Sequence, residues 1–160
     1  MPDEIHILEY HSSYQPHFER LNKVWIEKYF RLEPIDIEVL EHPEPHIIDP
    51  GGQIIFAAIR QRIVGTVAIR KVDDDTVEMT KMAVDEAYQG RKIGWVLGQA
   101  IIETARKMGF SKMILYSNTA LTPAIQLYRK MGFKEVEVEA GKYDRCNIQM
   151  EMELGNMAAD

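Results

Sequence analysis

The sequence predicts a single domain of mixed α/β class, in which a mixed, mostly antiparallel sheet of about six to seven strands carries helices on both faces. Three observations predict this fold. Short apolar or alternating segments recur along the chain. Between some of these short segments lie longer ones, in which apolar residues recur every three or four positions. One strand–helix–strand unit, from Thr76 to Asn118, should place its strands in parallel through a right-handed crossover.

Composition limits the classes of function. The 160 residues suffice for one core, and residues 1–160 are predicted to form one domain. No apolar run approaches the roughly 20 residues that span a bilayer, and the N-terminus does not resemble a signal peptide. The single cysteine, Cys146, predicts a reducing cytoplasm. A net charge of -6 argues against nucleic-acid binding.

The N-terminal third is predicted to contain one strand and two helices. Glu4–Tyr10 alternates like a strand, and Ser13 is the predicted N-cap of a helix that reaches Tyr29. One face of this helix is predicted to carry Phe18, Leu21, Trp25 and Tyr29. Prolines and glycines then predict a short helix near Ile35–Glu41 and a loop as far as Gly52.

Three strands are predicted in the middle of the chain. Gln53–Arg60 and Arg62–Val72 lie close enough in sequence for an antiparallel hairpin. The acidic run Asp73–Asp75 predicts the next turn, and Thr76–Val84 is the third strand.

The second half is predicted to alternate helices with strands. Helical periodicity predicts a helix from about Gly90 to Met108, with Gly109 at its C-terminal cap. A further helix is predicted to begin at Pro123 after the cap residue Thr122 and to end at Gly132. The remaining strands are predicted as Lys112–Asn118, Lys134–Ala140 and Cys146–Leu154.

The turn "QGRKIG" at the start of the third predicted helix has the composition of a phosphate site. A helix N-terminus exposes unpaired N–H groups, glycines let the backbone approach an anion, and Arg91 and Lys92 add positive charge. The turn matches neither a P-loop nor a Rossmann fingerprint. The spacing of Gly90, Gly94 and Gly98 has a second interpretation, since glycines four apart also let another element pack closely on a helix.

Two blocks of sequence together resemble the GCN5-related N-acetyltransferase (GNAT) superfamily. The first is "AYQGRKIGWVLGQAII" after "EMTKMAV", which resembles the signature [QR]-x-x-G-x-[GA] through Gln89 and Gly94, with Lys92 where the middle glycine is usual. The second is "SNTALTPAIQLYRKMGF", whose matching residues are Asn118, Ala124, Leu127, Tyr128, Lys130, Gly132 and Phe133. The resemblance is strong from Glu78 to Phe133.

The resemblance implies a GNAT-like sheet, acetyl-CoA as acetyl donor, and the primary amine of a small molecule or peptide as acceptor, attacking the thioester directly without a metal. It also implies the residues that contact the cofactor. These are Met82, Ala83, Val84, Gln89, Gly90, Arg91, Lys92, Ile93, Gly94, Trp95, Asn118 and Tyr128.

Two side chains are the catalytic candidates. An alkyl ammonium needs a base at neutral pH, and Glu78 is the candidate, directly or through water. It shares strand parity with Met82 and Val84 provided that no bulge intervenes; the alternative is a solvated surface residue. By the resemblance, Tyr128 donates a proton to the leaving thiolate, and its alternative is a packed aromatic. Asn118 either bonds pantetheine or caps the next turn.

Other roles remain open at the level of sequence. A non-catalytic acyl-CoA sensor or protein-interaction module with the same fold is the alternative function. By analogy with the family, Tyr143, Arg145 and Asn147 lie where the acceptor is often contacted, and a structural role is equally compatible. The acceptor, the acyl-chain preference and a homodimer are left open.

Overall fold

The computed structural model describes residues 4–138 and 146–155, and within them seven strands form one sheet. The strands are β1 His6–Glu9, β2 Gln53–Ile59, β3 Arg62–Lys71, β4 Thr76–Val84, β5 Lys112–Ser117, β6 Lys134–Val136 and β7 Ile148–Glu153. The α-helices are α1 Gln15–Tyr29, α2 Pro34–Glu41, α3 Ile93–Lys107 and α4 Thr122–Met131. None of the helices in these ranges is long and apolar enough to cross a membrane.

The sheet is mixed and mostly antiparallel, as predicted. Its strand order is β1-β2-β3-β4-β5-β7-β6. Only β4 and β5 pair in parallel, and the five other neighbouring pairs are antiparallel. The parallel pair confirms the predicted arrangement of the Thr76–Asn118 unit, in which α3 connects the two strands.

Helices cover both faces of the sheet, and each face has its own apolar core. On one face, Phe18 of α1 and Leu40 of α2 pack with Phe56 of β2. On the other, α3 and α4 pack against inward side chains of the central strands, such as Leu97 against Val67. The alternation of side chains along β2 and β3 therefore serves both cores, which explains why these strands are apolar throughout.

The start of α1 differs from the prediction. Ser13 is not the N-cap, because it lies in a 3-10 turn and its backbone N–H donates to His11 Nδ1 at 3.1 Å. The α-helix begins at Gln15, and Pro16 is accepted there because the first turn of a helix needs no N–H donor from it. Tyr29 at the other end is 45% exposed, so the buried face stops before it.

The start of α4 differs from the prediction as well, and it lies one residue earlier. Thr122 is the first helical residue rather than the cap, and Leu121 occupies the cap position without a side-chain bond. The predicted end is confirmed, since Gly132 follows the helix with a left-handed φ of 111°. The predicted strand Lys134–Ala140 runs beyond the described residues, and its described part ends at Val136.

A bulge interrupts β4 and reverses the direction of its side chains. Ala83 pairs with Thr66 and Thr80 pairs with Ala68, so three steps along β4 match two along β3. Lys81 inside the bulge has a left-handed φ of 57°. The predicted strand parity of Glu78 with Met82 and Val84 requires that no bulge intervenes, and this requirement is not met.

The two sides of the bulge face opposite cores. Val77 and Met79 before it, and Met82 and Val84 after it, pack toward α3 and α4. Glu78, which alternates with Val77 and Met79, therefore points to the α1 side of the sheet. The prediction that Glu78 shares a face with Met82 and Val84 is wrong.

The end of the Met131 side chain on α4 packs against Gly98 of α3. A Cβ at this position would lie 2.1 Å from Met131 Cε and 2.6 Å from its Sδ, so the flexible thioether would have to move. We predict that Gly98→Ala raises the free energy of unfolding by clearly less than the gain of about 1 kcal/mol that helix propensity supplies, because the displaced Met131 side chain loses packing. Chemical denaturation measures this.

The matched experiment places Gly98→Ala in a Met131→Ala background, where the obstructing atoms are absent. There the same substitution should raise the free energy of unfolding by about 1 kcal/mol through helix propensity alone. An equal effect in both backgrounds would contradict the packing argument.

Candidate active site

The sheet opens between β4 and β5. The two strands pair only at Thr76–Lys112, Val77–Met113 and Glu78–Ile114. Beyond that point β4 continues to Val84 and β5 to Ser117, and the two strands no longer pair with each other. Backbone groups of both strands are thus available along the opening, where an extended ligand can pair with them.

A long groove runs from this opening toward the start of α3, with a volume of about 640 Å³. One wall comes from the end of β4 and the turn before α3, and the other comes from α4. The lining residues are Trp25, Met82, Ala83, Val84, Tyr88, Gln89, Gly90, Lys92, Ile93, Gly94, Trp95, Pro123, Ala124, Leu127, Tyr128 and Lys130.

A second cavity lies beside the groove, on the α1 side of the opening. It is bounded by the end of α1, by β4 and β5, and by the loop that leads to α4. Glu78, Lys81, Tyr116 and Asn118 are among its lining residues. Trp25, Met82 and Tyr128 line both spaces, so the groove and the second cavity meet at these three side chains.

The turn at the end of the groove has the backbone geometry of an anion site. Gly90 and Lys92 have left-handed φ values of 82° and 63°, whereas Arg91 between them does not. This alternation turns successive N–H groups toward one side. The first intrahelical bond of α3 joins Val96 N–H to the carbonyl of Lys92, so the N–H groups of residues 93–95 precede the helical ladder.

Two details of this turn differ from what the sequence predicts. The helix begins at Ile93 rather than near Gly90, because two left-handed residues cannot belong to a right-handed helix. Lys92, at the usual glycine position, adopts the conformation that glycine favours. The substitution of lysine for glycine therefore keeps the backbone shape at the cost of conformational strain.

Both interpretations of the three glycines apply, at different positions. Gly90 lies in the turn, with nothing within 4 Å of a Cβ built on it. Gly94 abuts α4, where a Cβ would lie 3.3 Å from Leu127 Cδ2, and Gly98 makes the close contact with Met131 described above.

Ten of the twelve predicted cofactor contacts line the groove, and two do not. Arg91 is exposed, and its guanidinium carbon lies 5.1 Å from the centre of the Tyr88 ring. Asn118 lines the second cavity instead, and its side-chain oxygen accepts the N–H of Ala120 at 2.8 Å. That bond matches the interpretation of Asn118 as a turn cap.

Glu78 is a buried member of an ion pair on the wall of the second cavity. Glu78 is 1% exposed, so the alternative interpretation of Glu78 as a solvated surface residue is wrong. Arg70, its cross-strand neighbour, donates to Glu78 Oε1 from Nη2 at 2.8 Å and from Nε at 3.3 Å. The carboxylate therefore has a fixed orientation beside the second cavity.

Tyr128 stands at the junction of the two spaces. Its ring packs edge-on against Phe133, with centroids 6.1 Å apart. Burial raises the pKa of Tyr128 to about 12, because the apolar surroundings disfavour the phenolate. The hydroxyl consequently stays protonated throughout the neutral and moderately alkaline range.

Two residues of the site are not predicted from the sequence. Trp25 is predicted only as part of a helix face, yet it lines both spaces, and Tyr88 lines the groove without any predicted role. Neither carries a local motif that marks it. Of the three residues placed near the acceptor by analogy, Asn147 bonds both the N–H and the hydroxyl of Thr119, which matches the structural interpretation. Tyr143 and Arg145 lie outside the described residues.

Comparison with known proteins gives the family. Residues 8–133 match the Acetyltransferase (GNAT) family, and the chain belongs to that family. Among solved structures, an acetyltransferase of the GNAT family from Staphylococcus aureus Mu50 superposes with a TM-score of 0.85 at 26% identity, over 95% of this chain and 100% of that one.

Two further relatives extend the comparison. The chain is 34% identical over 95 residues to N-acetylaspartate synthetase of Danio rerio, covering 58% of this chain and 34% of that protein. It spans about a third of the length of several curated relatives it matches. The fold is shared with a phosphinothricin acetyltransferase from Sinorhizobium meliloti in complex with acetyl-CoA, with a TM-score of 0.76, 17% identity, and coverage of 100% of this chain and 93% of that one.

The strain at Lys92 gives a testable prediction. A left-handed conformation costs an L-residue roughly 1–2 kcal/mol, and glycine avoids this cost. We predict that Lys92→Gly raises the free energy of unfolding by about 1 kcal/mol in chemical denaturation. Lys92→Ala is the control, since it removes the same charge but keeps the β-carbon; equal stability of the two variants would contradict the assignment of strain.

Proposed function

We propose that the protein transfers an acetyl group from acetyl-CoA to a primary amine of a small molecule or peptide. The observation that carries this proposal is the meeting of two spaces at Tyr128: a long groove with an anion-binding turn, and a second cavity beside a buried carboxylate. Membership of the GNAT family supports it. So do relatives named as N-acetyltransferases and a structural neighbour in complex with acetyl-CoA.

In this proposal the groove holds the donor. The N–H groups at the start of α3 bind the diphosphate, aided by the positive end of the helix dipole. The pantetheine arm lies along Met82, Ala83 and Val84 and pairs with their backbone like an added strand. The thioester then reaches the junction beside Tyr128, where backbone N–H groups of the opened strand stabilise the developing oxyanion.

The acceptor amine enters from the second cavity. An alkyl ammonium with a pKa of about 10.4 is neutral in fewer than about one molecule in 10³ at pH 7. Glu78 accepts the proton, directly or through a water molecule. The free amine attacks the thioester carbon and forms the C–N bond. Collapse of the tetrahedral intermediate breaks the C–S bond, and the nitrogen loses its second proton, which balances the proton that Tyr128 gives to the thiolate.

The leaving thiolate meets Tyr128. A tyrosine with a pKa of about 12 is a weaker acid than a free thiol near 8.5, so full proton transfer to a hydrated thiolate would be uphill by roughly 5 kcal/mol. A thiolate desolvated in the groove is more basic, which narrows this difference. We therefore propose that Tyr128 acts first as a hydrogen-bond donor, with the proton transferred as the thiolate loses its solvation.

The remaining expectations stay predictions. A non-catalytic acyl-CoA sensor is the alternative, and the names of the relatives do not favour it. We propose a cytoplasmic setting on the support of the single cysteine, Cys146. The absence of a metal requirement and a homodimer are likewise predictions.

Replacement of Tyr128 tests the proposed chemistry. We predict that Tyr128→Phe lowers kcat about 100-fold in an assay of CoA release with a panel of amines, because the thiolate loses its donor. Calorimetry should find the affinity for CoA changed less than about three-fold, since the ring is retained. Tyr14→Phe is the control and should retain full activity, because the Tyr14 ring packs on Phe56 and lines neither the groove nor the second cavity. Unchanged turnover in Tyr128→Phe would remove Tyr128 from the mechanism.

The pH dependence of kcat in Glu78→Gln tests whether Glu78 is the general base. The variant should lose about 100-fold in kcat at pH 7, and the deficit should shrink as pH rises toward about 10, because the acceptor then supplies its own free amine. Glu19→Gln, at an ion pair on the surface of α1, is the control. A deficit that does not change with pH would assign Glu78 a structural role beside Arg70.

A further inference from the structure

The bulged residue of β4, Lys81, forms a buried ion pair with helix α2. Lys81 extends toward α2, where its Nζ lies 2.9 Å from Asp36 Oδ1. The Lys81 side chain is 7% exposed and that of Asp36 is 0% exposed. Two buried charges in contact, contributed by elements 45 residues apart in sequence, join helix α2 to the bulged residue.

The anchor point on α2 is itself fixed. Asp36 lies in the first turn of the helix, and its Oδ2 accepts the backbone N–H of Glu33 at 3.0 Å. One carboxylate thus caps the helix and binds Lys81 at the same time. Because the Asp36 carboxylate is oriented by the helix cap, it also fixes the position of the Lys81 ammonium.

Such a pair is better suited to fixing geometry than to adding stability. Buried ion pairs are often replaceable by apolar residues without loss of stability, whereas removing one partner strands a buried charge. The left-handed backbone of Lys81 also persists only where its surroundings impose it. Both considerations indicate that the pair maintains the bulge.

The bulge sets the position of the reacting groups. It directs Met82 and Val84 to the groove while Glu78 stays on the opposite face, and Met82 lines the junction of groove and cavity. Without the extra residue, side chains beyond Thr80 would project to the other face of the sheet. The backbone next to the thioester would change with them.

We propose that Asp36 and Lys81 are positioning residues for acetyl transfer, in that their buried contact holds the β4 bulge beside the thioester carbonyl. The proposal rests on the proposed function for its kinetic consequences. Its structural consequence, a bulge held by the contact, stands independently of any activity.

Five variants, of which Lys81→Arg is the conservative rescue, separate positioning from stability. Lys81→Met keeps the length of the chain without the ammonium, and Asp36→Asn keeps an acceptor for the helix cap without the charge. The double variant Lys81→Met with Asp36→Asn leaves no stranded charge. Lys23→Met, at a half-buried ion pair that joins α1 to Glu41 of α2 away from the bulge, is the matched control and should keep wild-type kinetics.

Kinetics and stability should diverge in the double variant. We expect each single variant to lose at least ten-fold in kcat, with CoA affinity by calorimetry changed less than three-fold. The double variant should regain most of the thermal stability but not the kcat, and Lys81→Arg should recover part of the kcat. Recovery of kcat together with stability would overturn the proposal, as would a raised acceptor KM with unchanged kcat, which would assign Lys81 to acceptor binding.

Amide hydrogen exchange gives a readout that needs no activity. In Asp36→Asn, exchange at residues 81–84 should accelerate at least ten-fold relative to β2, if the contact holds the bulge. Unchanged exchange there would overturn the proposal even in an active enzyme. If the wild type instead shows no acetyl transfer while exchange accelerates as expected, the proposed function fails and the structural role of the pair stands.

Discussion

The early separation of β4 from β5 is the constraint on which the site depends. Three residue pairs hold the strands together, after which the sheet opens and leaves backbone groups without partners in the neighbouring strand. In a closed sheet these groups would be satisfied by each other, and no extended ligand could pair with them. The groove, the second cavity and their junction at Tyr128 all lie along this opening.

The two faces of β4 carry different groups of the proposed reaction. The bulge in β4 sends Glu78 to the α1 side, where Arg70 holds its carboxylate, and sends Met82 to the groove. In the proposed mechanism this arrangement keeps the base out of the space that the thioester occupies. Tyr128, contributed by α4, stands with Trp25 and Met82 at the junction. Its raised pKa suits the proposed donor, which keeps its proton until a basic thiolate forms.

Local patterns predicted the parts of this arrangement that local forces determine. The parallel unit, most strand centres and the glycine-containing turn follow from periodicity and from the backbone freedom of glycine. The twelve cofactor contacts follow from the family resemblance, and ten of them line the groove. The bulge, the contact between Asp36 and Lys81, and the place of Trp25 could not be predicted. Each depends on packing between distant segments, and a lysine with left-handed φ is imposed by that packing rather than by its own preference.

The proposed mechanism requires that the turn around Gly90 and Lys92 binds a diphosphate and thereby directs the thioester to Tyr128. Calorimetry with coenzyme A, and with 4′-phosphopantetheine and pantetheine, which differ from each other only in the phosphate, measures this. We expect roughly micromolar binding of coenzyme A, and binding of 4′-phosphopantetheine at least about ten-fold tighter than that of pantetheine, because the N–H groups and helix dipole have no anion to bind in pantetheine. Equal affinity for 4′-phosphopantetheine and pantetheine, or no binding of coenzyme A by folded protein, would contradict the assignment of the turn.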